Sequence, residues 1–143
     1  MNWKAVMVGL PYGPNNGMGV IRIMLGLLLI YHGLEVFNTS LMDEYATWDS
    51  FKGTYGVFLV YAGKSFELIA GISMFLGLFT RLGSILIIIT FLYITFYLGN
   101  GRFWYEEQHP FMFVLFGLVY FFYGPGSWSL DKKFFGSKNV TGG

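Results

Sequence analysis

The chain reads as an all-α membrane protein, a bundle of four antiparallel transmembrane helices. Three observations predict this. Of its 143 residues, 55% are hydrophobic and only 12% charged, where soluble proteins carry about 25% charged residues. The apolar residues fall into four runs, approximately 18–37, 55–79, 82–98 and 108–123, and a helix rising ~1.5 Å per residue needs about 20 residues to cross ~30 Å of hydrocarbon. The polar residues lie mostly between those runs, as connections in the headgroup layers require. The length fits one membrane domain over residues 1–143, with 124–143 as its C-terminal tail.

The first run, MGVIRIMLGLLLIYHGLEVF, is long enough to span. Before it, residues 1–16 hold Pro11, Pro14 and a Gly-Pro-Asn-Asn cluster that reads as a turn. Residues 1–10 carry one lysine and no short apolar stretch with a small-residue cleavage site, so the first helix is expected to be retained as a span. Residues 38–54 carry Asp43, Glu44, Asp49 and Lys52 and read as a connection outside the hydrocarbon, with Tyr45 and Trp48 at the interface. The second span is interrupted only by Lys64 and Glu67, and the tight turn Thr80-Arg81 makes the third its antiparallel neighbour. Residues 99–108 form a loop with Arg102, Glu106 and Glu107. Pro110 suits the first turn of a fourth helix, which Gly124-Pro125-Gly126 stops.

Four crossings place both termini on one side. Lys4, Arg81, Lys132, Lys133 and Lys138 then share that side, and Lys52 and Arg102 face the other. Cytoplasmic loops are enriched in Lys and Arg, so both termini are expected in the cytoplasm, with the chain in the inner membrane. Gly19, Gly26 and Gly33 recur every seven residues in the first span, as Gly56, Gly63, Ala70 and Gly77 do in the second, which predicts two narrow seams packed together.

Several chemistries are excluded. Without cysteine the chain forms no disulfide, thiolate relay or Cys-ligated metal centre of its own. A net charge of +1 with no basic tract argues against nucleic acid as a partner. No phosphate-binding glycine loop, serine elbow or dinucleotide fingerprint occurs. His32 and His109, with no His-x-x-His spacing, specify no metal site.

Five ionisable residues inside the runs remain: Arg22, His32, Glu35, Lys64 and Glu67. Arg22 lies near the inner end of the first span, from which its long side chain can snorkel to the interface. Antiparallel geometry gathers His32, Glu35, Lys64, Glu67, Glu106 and His109 toward the outer end. A lone charge at mid-membrane costs ~2.5–3.5 kcal/mol even on the lenient insertion scale, so Glu67 is expected neutral, hydrated in a cavity, or paired. Lys64 sits three residues before it, and His32 with Glu35 repeats that spacing. Such a set of acid, base and imidazole suits proton transfer or a quinone carbonyl. His32, Glu67 and Lys64 are the catalytic candidates, and Glu35, Glu106 and His109 the cofactor-binding ones. The same groups also suit a polar network that fixes helix register.

A wider pattern joins these residues. Tyr31-His32-Gly33, Gly63-Lys64-x-x-Glu67-x-x-x-Gly71, Gly77-Leu78-Phe79-Thr80-Arg81 and Gly124-Pro125-Gly126-x-x-Ser129-Leu130-Asp131 together resemble the DoxX family of small four-helix membrane proteins, from Gly19 to Asp131. Within that resemblance, Trp104 to Pro110 looks like a subfamily feature. The family is similar to the small membrane subunit of thiosulfate:quinone oxidoreductase, which implies a subunit or accessory of a quinone-linked oxidoreductase, with quinone as cofactor and lipid, other membrane subunits or further copies as partners. Fold follows from family more firmly than activity. A scaffold subunit without catalysis is the alternative expectation. A small transporter is a third, for which one four-helix protomer offers little room.

Overall fold

The computed structural model describes residues 14–136. Helix α1, Pro14–Gly33, continues as the 3₁₀ turn Leu34–Phe37. Asn38 caps a short helix, α2 (Thr39–Ala46), by accepting from the Leu41 N–H at 3.3 Å, and a second 3₁₀ turn, Asp49–Phe51, follows. Helix α3 spans Gly56–Leu76 and ends at Gly77, whose φ of +63° is the left-handed conformation that favours glycine at a helix C-terminus. Helix α4, Thr80–Tyr93, is prolonged by the π-helical turn Ile94–Leu98. Helix α5 is Gln108–Tyr123, and Ser129 caps the six-residue α6, Leu130–Phe135. No strand occurs among the described residues.

Three apolar helical stretches are long enough to cross a bilayer, Asn16–Phe37, Gly56–Leu76 and Thr80–Leu98; α5, at sixteen residues, is a shorter apolar helix. Their outer faces carry large apolar side chains into the surroundings, Leu27, Ile69, Ile89 and Phe122 among them, as lipid-facing helices do. The helices alternate in direction. Gly26 lies against Phe75 and Gly33 against Leu68, so α1 and α3 are antiparallel; Phe113 stacks on Phe91 at 4.5 Å and Gly117 meets Ile87 and Ile88, so α4 and α5 are too. All four share one core, in which Leu29, Met74, Ile87 and Tyr120 are fully buried. The Tyr120 hydroxyl donates to the Met18 carbonyl at 2.7 Å and ties α5 back to α1.

The predicted seam is half right. Side chains at Gly26 and Gly33 would strike α3 backbone: a Cβ at Gly33 would lie 2.5 Å from the Leu68 Cα. The opposing surface is Leu68, Gly71 and Phe75, however, and Gly63 has nothing within 4 Å of an added Cβ. Glycine every seven residues does not fix which face of α3 meets α1, because an undistorted α-helix drifts ~20° per heptad. Other boundaries also move. The turn between α3 and α4 is Gly77 to Phe79, and Thr80-Arg81 already form the first turn of α4. Pro14 to Asn16 start α1 instead of forming a turn, and the connection before α3 contains a helix. Residues 1–13, with Lys4 and Pro11, and Lys138 lie outside the described residues.

Candidate functional site

The glycine seam brings two pairs of ionisable residues together. With α1 and α3 in contact at Gly33 and Leu68, Glu35 in the 3₁₀ turn reaches Lys64 across the interface. The Lys64 ammonium donates to Glu35 Oε2 at 2.8 Å and to Glu67 Oε2 at 3.0 Å, one turn along its own helix. His32 Nδ1 stands 3.7 Å from Glu35 Oε1. The Tyr45 hydroxyl, arriving from α2, donates to Glu35 Oε2 at 3.0 Å, and the Lys64 ammonium lies 5.6 Å from the Tyr45 ring centre. Burial and then the bond to Glu35 push the Tyr45 phenol above its ordinary range.

This is a graded chain of titratable groups. Side-chain exposure falls from 44% at His32 to 23% at Glu35, 17% at Lys64 and 6% at Glu67. Two carboxyls share one ammonium, so a proton on either acid or on His32 balances the charge. Desolvation makes an unbalanced charge costly here.

Glu67 and Lys64 end the chain in the wall of a cavity of about 210 Å³ between α3, α4 and the residues before α3. The rest of the lining is largely apolar, with Gly63, Val60 and Phe51 contributing open space and hydrocarbon. Thr90 and Tyr93 of α4 also line it, and the Thr90 Oγ1 and Tyr93 hydroxyl are buried without a hydrogen-bond partner. Buried hydroxyls left unpaired are costly and mark a place for a ligand or water. The π turn Ile94–Leu98 lies on the same wall, and π turns concentrate at functional sites.

Of the six candidates from the sequence, His32, Glu35, Lys64 and Glu67 form this network. The other two stand apart. Glu106 accepts from Arg102 and from the Asn100 side chain, each at 3.2 Å, and His109 packs edge-on to Phe113 beside an apolar groove between α1 and α5. Their place in the chain set the correct end of the bundle, but Glu106 is paired within the loop before α5 and His109 lies on the α1 side of α5. Sequence reasoning missed Thr90 and Tyr93 and read Tyr45 only as an interfacial anchor. Hydroxyls three residues apart in the apolar second half of α4 were the available signal.

At the opposite end Arg22 does not snorkel. It is fully buried, and its Nη2 donates to the carbonyls of Ser127 at 3.3 Å and Trp128 at 2.9 Å. Asp131 accepts from the Phe79 and Thr80 amides at 2.7 and 2.8 Å, and its own N–H donates to the Gly77 carbonyl at 2.8 Å. Folding the segment after α5 back over the bundle supplies Arg22 Nη2 with two carbonyl acceptors, while Nε and Nη1 are buried without a hydrogen-bond partner.

A protein family model described as DoxX matches residues 17–100, more than half of the chain and the whole path from α1 through α4. The chain belongs to the DoxX family. The match includes the four networked residues and the cavity wall, while Gly124 to Asp131 lies beyond it. A relative from Haemophilus influenzae, carrying the name "Uncharacterized protein", is 25% identical over 125 residues, which cover 82% of this chain and 90% of that protein. No solved structure matches.

Proposed function

We propose that this DoxX protein is a multi-pass inner-membrane subunit or accessory of a quinone-linked oxidoreductase, with four crossings and both termini in the cytoplasm, and that the cavity beside Lys64 and Glu67 takes a quinone headgroup. The observation that carries the reading is the meeting of a buried acid–ammonium pair with two unpartnered hydroxyls, Thr90 Oγ1 and Tyr93 OH, around one apolar space. Complete small-molecule pockets run to about 300–1,000 Å³, so about 210 Å³ suits a substituted ring whose chain stays in the lipid. Leu59 and Trp48 on the lining are exposed and leave a route from the bilayer.

A bound quinone would supply two-electron, two-proton redox chemistry. The protein's share is to orient the ring and deliver protons. The Tyr93 hydroxyl and the Lys64 ammonium are donors for carbonyl oxygens, and Glu67 holds a proton at the cavity wall. His32 exchanges protons with the outside and hands them through Glu35 and Lys64 to Glu67, along the gradient of exposure. Asp43, Glu44, Asp49, Glu106 and Glu107 outnumber Lys52 and Arg102 in the connections at the network end.

The test compares folded yield with quinone recovered from protein purified in mild detergent. His32→Gln and Glu67→Gln keep hydrogen-bonding shape without titration, and Gly63→Leu fills the cavity from a position where an added Cβ meets nothing within 4 Å. Normal yield with lost quinone in Gly63→Leu, and lost partner-coupled turnover in the two glutamine variants, is expected. Full quinone content and turnover in all three would assign the network to helix register and favour the scaffold reading. For topology, a cysteine replacing Asp49 should react with an impermeant thiol reagent on intact cells, and one replacing Lys138 should not; labelling only at the tail would invert the arrangement.

A further inference from the structure

The basic side chains are unevenly satisfied. Lys52 pairs with Asp49, Lys64 with Glu35 and Glu67, and Arg102 with Glu106, while Arg22 is buried on carbonyls. Among the described residues, the remaining three, Arg81, Lys132 and Lys133, are exposed and make no ion pair. All three belong to one end of the bundle, at the start of α4 and on α6. The acid at that end is Asp131, and both of its carboxylate oxygens are held by the Phe79 and Thr80 amides. Two adjoining open grooves lie there, of about 430 and 520 Å³, sharing Tyr123, Pro125, Asp131 and Phe135. Arg81 lines the first and Lys132 the second. Around them Phe79, Trp128, Phe134 and Phe135 are 55–65% exposed, the placement of aromatic side chains that sit at a headgroup layer.

We propose that this double groove binds the headgroup of an anionic phospholipid, with the phosphate between Arg81 and Lys132 and the acyl chains beside Phe79 and Phe135. The charge favours this occupant: unpaired Arg81 and Lys132 line the grooves, Lys133 follows Lys132 on α6, and the one carboxylate on the lining is already committed to backbone amides. An acidic protein segment would not explain the exposed Phe79 and Phe135 rings that line the same grooves as the cations. The site is separate from the cavity at the other end and does not depend on its reading.

The test uses the full chain in zwitterionic micelles, titrated with phosphatidylglycerol or with phosphatidylcholine and followed by its thermal midpoint. Phosphatidylglycerol should raise the midpoint with saturation, and phosphatidylcholine should not. Each basic group near an anionic surface is worth about 1 kcal/mol, a factor of about five in affinity, so Arg81→Gln with Lys132→Gln should weaken the response about 25-fold. Lys52→Gln, at the opposite end, should leave it unchanged. Should the double variant fold poorly in phosphatidylcholine, the parent decides the matter, since its affinity should fall steeply between low and high salt. Equal responses to the two lipids, a salt-independent response, or an unaltered affinity in a well-folded double variant would each overturn the proposal. Inorganic phosphate acting as strongly as the lipid would make this a soluble-anion site instead.

Discussion

The two ends of the bundle solve the same problem, buried charge in a membrane protein, in opposite ways. At one end Arg22 and Asp131 are bound to backbone: carbonyls of Ser127 and Trp128, amides of Phe79 and Thr80. At the other, His32, Glu35, Lys64, Glu67 and Tyr45 are bound mainly to one another, and Lys64, Glu67 and Tyr45 border open space. Backbone partners cannot change protonation or leave. Side-chain partners can do both, and the cavity gives them something to respond to. One end therefore fastens the fold and the other keeps ionisable groups beside a cavity, a contrast that substitutions can probe.

The sharpest contrast is between Gly63 within α3 and Gly77 at its C-terminal cap. At Gly77 a Cβ would meet the Arg22 guanidinium and Ser129 and would sit at φ +63°. The left-handed conformation costs a non-glycine residue ~1–2 kcal/mol, and overpacking adds ~1–3 kcal/mol. Gly77→Ala should therefore lose ~2–5 kcal/mol in a detergent-unfolding assay. Gly63→Ala meets nothing, and a helix interior gains ~1 kcal/mol from that exchange. Equal stability of the two variants would dissolve the distinction between a fastened and an open end.

The carboxylates come next. Asp131→Asn keeps one acceptor and gives up one of two charge-assisted bonds to backbone, a loss of ~1.5–3 kcal/mol. Glu67→Gln should cost only about 1 kcal/mol, because Lys64 keeps Glu35 at 2.8 Å. Thermal midpoints of both variants at neutral pH check the order. A larger loss for Glu67→Gln would mean that the network, too, serves chiefly to hold the helices.

Sequence and structure part company along the same division. The order of the four apolar helices and the pairs His32–Glu35 and Lys64–Glu67 were legible, because hydropathy runs and three-residue spacings follow directly from helix geometry, whereas the short helices α2 and α6 were not. Rotation of helices about their axes was not. Gly63 carries the heptad yet faces the cavity, and Glu106 and His109 reach the right end without joining the network. Arg22 was misjudged for another reason: its acceptors come from residues 105 and 106 positions later, a fold-back that local pattern does not encode.

The smallest effect concerns the one network member supplied by a connection. Tyr45 donates to Glu35 at 3.0 Å from α2, outside the membrane-crossing helices. Its removal in Tyr45→Phe should cost about 1 kcal/mol at neutral pH, the scale of a partly exposed hydrogen bond. A second signature separates that bond from simple packing. Burial and the Glu35 bond raise the phenol in the folded state above its ordinary value of 10.0, so the folded protein holds this proton more tightly than the unfolded chain. The resulting stability is fully present below about pH 10 and declines as pH rises through the folded value. Melting temperatures from pH 8 to 11 should therefore fall less steeply in Tyr45→Phe than in the parent. Parallel curves would mean that the hydroxyl contributes no pH-dependent stability, leaving α2 held over the network by the packing of Leu41, Met42 and the ring of Tyr45.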